Sequence, residues 1–444
     1  MFSLLRDDEK GCTVGFVGIG KSNLALMRLV PRDCGVVLRS DKKADLSSLP
    51  CGLKIKAIYE GDVALKDIRE DVLVLSPSVR RDRPEINEAV SRGVRVTSDY
   101  EVFFEGRKAP VLAVTGSSGK STTATMAHLM LGGACCGSAL IGNIGTPMCE
   151  APENARVYVA ELSSFMLEHG HAIVDRSVIT NVTPNHLDYH GSFESYKRAK
   201  LSLMTLSHQA IVNADDPILR EAAGNRRLFG AVSTEMPLKE LIKVCRADVY
   251  MTYENSYLLR NGEKLLHASA LFRSDRYLIA NALCAVALTD GYALKEQMLA
   301  AIGGFSGLSH RCETVATVGG VRYIDSSIDT TPERCAVTLT SYGKPVILLM
   351  GGRGKGLSYR EIRDTLARFC KQIILFGEER EKIYKEISDI CEVDTCESFS
   401  DAVALARRTA IPGDTVMLSP ACTSYDEFRS FEERGEAFRR LINQ

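Results

Sequence analysis

Val111-Leu-Ala-Val-Thr115 runs directly into Gly116-Ser-Ser-Gly-Lys120-Ser-Thr-Thr123. A short apolar run that breaks into glycines and then into the helix-compatible segment 124–131 reads as a strand, a tight loop and a helix N-terminus. That geometry suits phosphate, because glycines let backbone N–H groups face an anion and the helix adds its partial positive end. Lys120 offers a mobile charge to the outer phosphates, and the Ser121 hydroxyl suits a magnesium ion. Val114 stands where the full phosphate-loop pattern has glycine, so the match is to the shorter form G-x-x-G-K-S-T. A solvated Gly/Ser turn is the plainer reading, but it leaves the Lys-Ser-Thr-Thr spacing unexplained. Residues 116–123 are therefore expected to bind ATP or GTP.

The rest of the chain repeats the same rhythm. Apolar runs at 13–17, 35–38, 72–75 and 94–96 alternate with polar, helix-compatible stretches at 21–29 and 84–92, the pattern of a parallel sheet covered by helices. The first turn, Gly18-Ile-Gly20-Lys-Ser-Asn23, is a dinucleotide-type turn without its third glycine. It suits a diphosphate or nucleotide sugar on the helix N-terminus, a nicotinamide cofactor, or no ligand at all. Lys108-Ala-Pro110 marks a second segment. There Asn143 either meets substrate or closes a turn. Glu161, at the end of the strand 157–160, is placed for magnesium or for capping a helix. The strand 177–180 leads into Asn181-Val-Thr-Pro-Asn-His186-Leu-Asp188-Tyr-His190, two histidines in five residues of a chain with eight in all. His169 and His171 read as a helix end, and Asp215 and Asp216 as a solvated turn. A third segment, from about Gly307, alternates strands at 321–324, 345–350, 372–376 and 415–418 with helical patterns, the last from 425 to 441. Its active edge is expected in the loops after those strands: Asp325-Ser326, Gly351-Gly-Arg-Gly-Lys355 and Ser419-Pro-Ala-Cys-Thr-Ser424.

Length and composition fit this plan. The 444 residues suit about three domains, and 45% apolar with 25% charged residues is ordinary globular usage. A net charge of −1 argues against general attraction to nucleic acid or anionic membranes. No apolar stretch reaches about 18 residues, and the start turns charged too early for a secretory signal, so a cytoplasmic protein is expected. Fourteen cysteines without a CxxC pair read as reduced thiols. A monomer is the working expectation.

Taken together, these stretches resemble the Mur ligases of peptidoglycan synthesis across the whole chain. The shared features are Thr115-Gly-Ser-Ser-Gly-Lys-Ser-Thr122, Glu161-Leu-Ser-Ser-Phe165, the Asn181 to His186 loop, Asn213-Ala-Asp-Asp216, Asn281 and His310-Arg311. The resemblance implies an α/β protein of three domains, each on a mostly parallel sheet: a Rossmann-like UDP-substrate domain (1–107), a P-loop ATPase-like ATP domain (108–307) and a Rossmann-like amino-acid domain (308–444). ATP would phosphorylate the alanine carboxylate of UDP-N-acetylmuramoyl-L-alanine, and the amine of an amino acid would attack the acyl phosphate. Leu418-Ser-Pro-Ala-Cys-Thr-Ser-Tyr-Asp-Glu-Phe428, with Phe431, implies D-glutamate as that amino acid.

The same resemblance assigns Lys120, Glu161, His186 and Lys200 to catalysis. ATP falls to Gly116, Ser117, Ser118, Gly119, Lys120, Ser121, Thr122, Thr123, Asn281, His310, Arg311 and Asp325. Two magnesium ions are implied, on Ser121, Glu161, His186 and Lys200, the lysine as a carbamate. The UDP substrate falls to Gly18, Gly20, Ser40, Asn143, Ser163 and Ser164, with Arg39-Ser-Asp41 where the family holds uracil. D-glutamate falls to Lys355, Ser424 and Phe431. Four residues depart from the family pattern: Met166, Leu278, Ser327 and Asp329. Asp329 is expected to put a carboxylate near the incoming amino acid, where it would repel a carboxylate unless it faces the ammonium group or solvent. Two rivals remain, a folylpolyglutamate synthase, against which residues 1–107 count, and a P-loop switch protein, in which Lys200, Lys355 and Ser424 would have no shared purpose.

Overall fold

The structure is a computed structural model of the 444-residue chain and describes all residues except 1, 10, 42, 44, 45, 134, 136 and 272–274, together with the side chain of Asp188. The chain divides into two compact units, residues 1–305 and 306–444.

The first unit holds two sheets. Five parallel strands lie in the order Lys54–Glu60, Gly35–Ser40, Thr13–Val17, Val72–Leu75, Arg95–Thr97. The second sheet runs Ser138–Gly142, Val157–Glu161, Val111–Thr115, Val174–Ile179, Ser207–Asn213, Leu228–Ser233, Ala247–Glu254, all parallel, and ends in an antiparallel pair, Tyr257–Arg260 and Glu263–His267. Val111–Thr115 and Val157–Glu161 are buried along their whole length, as central strands covered on both faces must be, which is why they are unbroken apolar runs. Register then places the chemistry. Val114 lies opposite Glu161 and Thr115 opposite Ile179, so the turns after these three strands emerge side by side. One continuous hydrophobic cluster serves both sheets. Phe2 meets Phe103 at 5.5 Å between ring centroids, and Phe103 meets Tyr158 edge-on at 5.0 Å.

The second unit has six strands in the order Glu313–Val318, Val321–Asp325, Thr415–Leu418, Val346–Gly351, Cys370–Phe376, Glu392–Thr395, the first antiparallel and the rest parallel. Its three neighbouring strands Val321–Asp325, Thr415–Leu418 and Val346–Gly351 put residues 326–331, 419–430 and 352–358 at one edge. The last helix is Phe431–Ile442, shorter at its start than the expected 425–441. Residues before it fold as a turn, with Glu427 and Phe428 N–H both donating to the Ser424 carbonyl. Ser430 then caps the helix by accepting from Glu433 N–H.

All three sheets are mostly parallel, and no helix among the described residues is long and apolar enough to cross a membrane. The described cysteines are free thiols.

Candidate functional site

The phosphate loop is shaped by two glycines. Gly116 has φ +147° and Gly119 φ +78°; a β-carbon on the first would strike Thr180, and on the second the Asn281 amide. Asn281, on the helix Arg276–Thr289, therefore lies against the loop, and Thr123 Oγ1 donates to its Oδ1 at 3.4 Å. The helix Lys120–Met130 begins at Gly119, and its first bond runs from Thr123 N–H to the Gly119 carbonyl. The N–H groups before it form an anion-seeking helix head. Lys120 Nζ folds over the loop, donating to the carbonyls of Gly116 (2.9 Å) and Ser117 (3.0 Å). Asn181 braces the loop from beside it, its Oδ1 accepting from Ser118 N–H at 2.9 Å. The Ser117 hydroxyl meets Tyr196 OH at 2.8 Å. Ser121 is buried in the first helical turn.

Glu161 is fully buried. Asn143 Nδ2 donates to its Oε1 at 2.8 Å, while Oε2 accepts no hydrogen bond. A buried carboxylate oxygen left without a partner suits a cation. Lys200, on the helix Phe193–Thr205, is 1% exposed, and its Nζ donates to Thr115 Oγ1 at 2.9 Å. Burial first, then repulsion from Lys120, holds its amine well below the usual lysine pKa, with Glu161 opposing. His186 is exposed and left-handed (φ +52°), heading the short helix Leu187–His190, with its ring 4.9 Å from Phe165. The other histidine of that loop, His190, is the buried one, meeting the Ser164 hydroxyl at 3.0 Å. Ser163 caps the helix Ser164–His169, accepting from Met166 N–H.

Two expectations in this unit fail. Asp215 and Asp216 do not form a solvated turn. Asp216 caps the helix Pro217–Ala223 and accepts Val182 N–H at 2.7 Å, pinning the loop that leads to His186, and Asp215 accepts from Ser233 and Thr234. Arg39 is unavailable to a uracil ring: fully buried, it pairs with Glu70 at 2.7 Å and donates to the carbonyls of Ala64, Lys66 and Asp67. Ser40 beside it ends the strand Gly35–Ser40 in a buried position. The N-terminal turn forms as read. Gly18 has φ +83°, its α-carbon close against Ser76; Gly20 precedes the helix Lys21–Met27, and Asn23 Nδ2 donates to the carbonyls of Val17 and Gly18. Met166 and Leu278, two of the departures, are core residues.

In the second unit His310 Nδ1 meets Asp325 Oδ2 at 2.7 Å, and Asp325 Oδ1 accepts Ser327 N–H at 2.8 Å. The bond to Asp325 raises the His310 pKa above its ordinary value. Glu313 completes a trio close enough to hold a metal, but its carboxylate already accepts from His310 N–H and from Arg439, each within 2.9 Å. Phe431, first residue of its helix, lies edge-on to His310 at 6.1 Å, and Arg311 follows His310 in the same turn. Arg353 and Thr423 exchange backbone bonds at 3.0 and 2.9 Å, joining the loop of Lys355 to that of Ser424, which is buried. Lys355 Nζ donates to Thr330 Oγ1 at 3.3 Å.

Asp329 corrects the reading again. It faces neither solvent nor an open site but is buried, accepting from Ser419 Oγ at 2.7 Å, and burial raises its pKa. Ser327 is buried too, its hydroxyl without a hydrogen bond. Arg434 was not foreseen. Fully buried, it donates to the carbonyls of Ser327, Cys422 and Thr423 and so ties two of the three loops together. In sequence it is one more charged residue of an amphipathic helix, with nothing to mark it.

A phosphate loop beside a cation-seeking carboxylate is a site for a nucleotide with its metal, and the second α/β unit carries its own polar loop edge. Residues 114–289 match the Mur ligase middle domain and residues 310–422 the Mur ligase glutamate ligase domain. The UDP-N-acetylmuramoylalanine–D-glutamate ligase of Pelotomaculum thermopropionicum is 33% identical over 96% of this chain and 96% of its own. That of Clostridium botulinum (strain Kyoto, type A2) is 32% identical over 100% and 99%. Among solved structures, the UDP-N-acetylmuramate-alanine ligase MurC of Thermotoga maritima shares the fold at a TM-score of 0.62 and 16% identity, covering 97% of this chain and 99% of its own. The ADP complex of MurF ligase from the same organism does so at 0.55 and 16%, covering 85% and 96%. The chain belongs to the Mur ligase family, ATP-dependent enzymes that form amide bonds.

Proposed function

We propose that this chain joins D-glutamate to UDP-N-acetylmuramoyl-L-alanine in the cytoplasm, converting ATP to ADP and phosphate. The terminal phosphoryl group passes to the alanine carboxylate, D-glutamate's amine attacks the resulting acyl phosphate, and phosphate leaves as the amide forms. In this reading residues 1–107 take the UDP substrate through Gly18, Gly20 and Ser40, with Asn143, Ser163 and Ser164 beyond. Residues 108–307 take ATP, the helix head after Gly119 and Lys120 meeting the charge on the transferring group, where positioning and electrostatics supply most of the catalysis. Asn281 takes part in the nucleotide's contacts, and the family resemblance assigns His310, Arg311 and Asp325 to ATP as well. Lys355, Ser424 and Phe431 take D-glutamate.

The unpartnered Glu161 oxygen fits magnesium, which Ser121, Glu161, His186 and a modified Lys200 would hold in one or two sites, and which supplies neutralisation of phosphate charge. Lys200 fits this only as an anion. Burial lowers the pKa of its amine and so favours the neutral form, the one that adds carbon dioxide, releasing one proton and leaving a carbamate.

The observation that carries the reading is Glu161, a buried carboxylate half satisfied by Asn143 at the end of the strand paired with that of the phosphate loop. The test is phosphate release and product mass with ATP, magnesium, UDP-N-acetylmuramoyl-L-alanine and D-glutamate, each omitted in turn. Release only with the full set, with a product heavier by one glutamyl residue, is expected. Release independent of the acceptor, or faster product with L-lysine or meso-diaminopimelate, defeats the assignment.

A further inference from the structure

D-glutamate brings two carboxylates to its site, and Lys355 answers only one of them. We propose that Arg334, with Lys355, forms a two-cation seat for the acceptor, Arg334 taking the side-chain carboxylate. The inference rests on D-glutamate being the acceptor and adds the residue that selects it.

Three observations carry it. The turn 328–330 is held by both cations: Arg334 Nη1 donates to the Ile328 carbonyl at 3.2 Å and Lys355 Nζ to Thr330 Oγ1 at 3.3 Å. Their hydrogen bonds thus go to a carbonyl and a hydroxyl, groups that leave both positive charges in place, whereas Arg353, Arg363, Arg380 and Arg439 of this unit meet carboxylates. Second, the two charges feel each other. After burial, repulsion from Arg334 is the largest influence lowering the Lys355 pKa, opposed by Glu333. Holding like charges together is unfavourable alone and becomes favourable when an anion sits between them. Third, Arg334 lies in the first turn of the eleven-residue helix Pro332–Tyr342, whose N-cap, Thr331, makes no side-chain capping bond, so the helix head adds positive character at the same point.

Two acidic groups stand near and offset the cations only in part: Asp329 is buried, feels Arg334 and spends one oxygen on Ser419, and Glu333 is exposed to solvent, where its pull on Lys355 is smaller than the repulsion from Arg334. Lys355, on the loop that Arg353 pairs with Thr423 beside Ser424, suits the α-carboxylate, which sits next to the reacting amine. Arg334, exposed, suits the carboxylate that reaches farther out, and a guanidinium meets it in bidentate fashion.

Steady-state kinetics of Arg334→Ala, Arg334→Gln and Arg334→Lys with D-glutamate, D-glutamine and D-2-aminobutyrate test this, the last two acceptors lacking a side-chain charge. Arg334→Ala and Arg334→Gln are expected to raise the KM for D-glutamate about 10- to 100-fold, with Arg334→Lys between them and wild type. Preference for D-glutamate over D-glutamine should collapse, while the KM values for ATP and the UDP substrate stay within about twofold. Equal losses with D-glutamate and D-glutamine, a raised KM for ATP, or unchanged kinetics overturns the proposal. Should Arg334→Ala fold poorly, Arg334→Gln keeps the side-chain volume and gives the same discrimination. Wild type that cannot use D-glutamate defeats the acceptor assignment itself, whereas active wild type with unaltered variants defeats only the role of Arg334.

Discussion

Replacing Glu161 with glutamine separates what the carboxylate costs the fold from what it does in the reaction. The side chain is fully buried, and its Oε1 accepts from Asn143 Nδ2, a bond that the amide oxygen of glutamine keeps. Its Oε2 has no hydrogen bond. Lys200 gives little help, because its amine is held toward the neutral form, and Lys120 donates instead to its own loop carbonyls. The amide nitrogen that glutamine puts in place of Oε2 is a buried polar group as unpartnered as the oxygen it replaces, so without metal Glu161→Gln should leave stability within about 1 kcal/mol of wild type, a shift in unfolding midpoint of at most about 2 °C for a unit of this size. With magnesium and nucleotide the two proteins should part. A ligand at about 100 times its Kd stabilises wild type by about 2.7 kcal/mol, and the variant should lose most of that gain.

Thermal unfolding in chelator and then in magnesium with ADP reads both effects, and phosphate release reads the third, a fall of about 10²- to 10³-fold in turnover. A variant stabilised by magnesium and ADP as strongly as wild type refutes the assignment of Glu161 as a carboxylate held ready for a cation.

Lys200→Ala should be nearly inactive yet folded, and formate or acetate should restore part of the turnover by standing in for the carbamate; full activity without rescue would rule the modification out. His310, whose pKa Asp325 raises, adds stability that is fully present below the histidine's unfolded pKa of about 6.5 and is lost as pH rises through the higher folded value. The difference in unfolding midpoint between wild type and His310→Gln should accordingly shrink from pH 6 to pH 9, and a difference that grows would reverse the sign of the coupling. Lys355→Ala and Ser424→Ala should raise the KM for D-glutamate far more than that for the UDP substrate, since energy lost from an acceptor-only contact appears in the acceptor's own constants. Equal rises would place both residues elsewhere in the cycle.

What the chain discloses before folding depends on whether a residue's role is local. Thr13–Val17, Val72–Leu75, Val111–Thr115 and Thr415–Leu418 were legible to the residue, because a strand buried on both faces must be apolar throughout. Lys54–Glu60 was invisible for the converse reason. It is an edge strand, mostly exposed, with no apolar run to announce it. The phosphate loop was legible because its glycines, lysine and hydroxyls act within eight residues of one another. Polar residues with distant partners were not. Arg39 finds Glu70 31 residues on, Asp216 finds Val182 34 residues back, Asp329 finds Ser419 90 residues away, and Arg434 reaches Ser327 across 107. A charge in a sequence states that a partner or water is needed, and only the fold says which.

Lys200 shows how this bears on function. By position alone it is a lysine on a surface helix; 85 residues away Thr115 receives it, and the same burial that hides it from sequence patterns holds its amine toward the neutral form. A group whose chemistry is created by enclosure cannot be recognised from its neighbours in the chain, because those neighbours do not enclose it. Glu161 follows the same logic from the opposite charge. Its reactivity toward a cation comes from Asn143 holding one oxygen while the strand beside it denies the other any water.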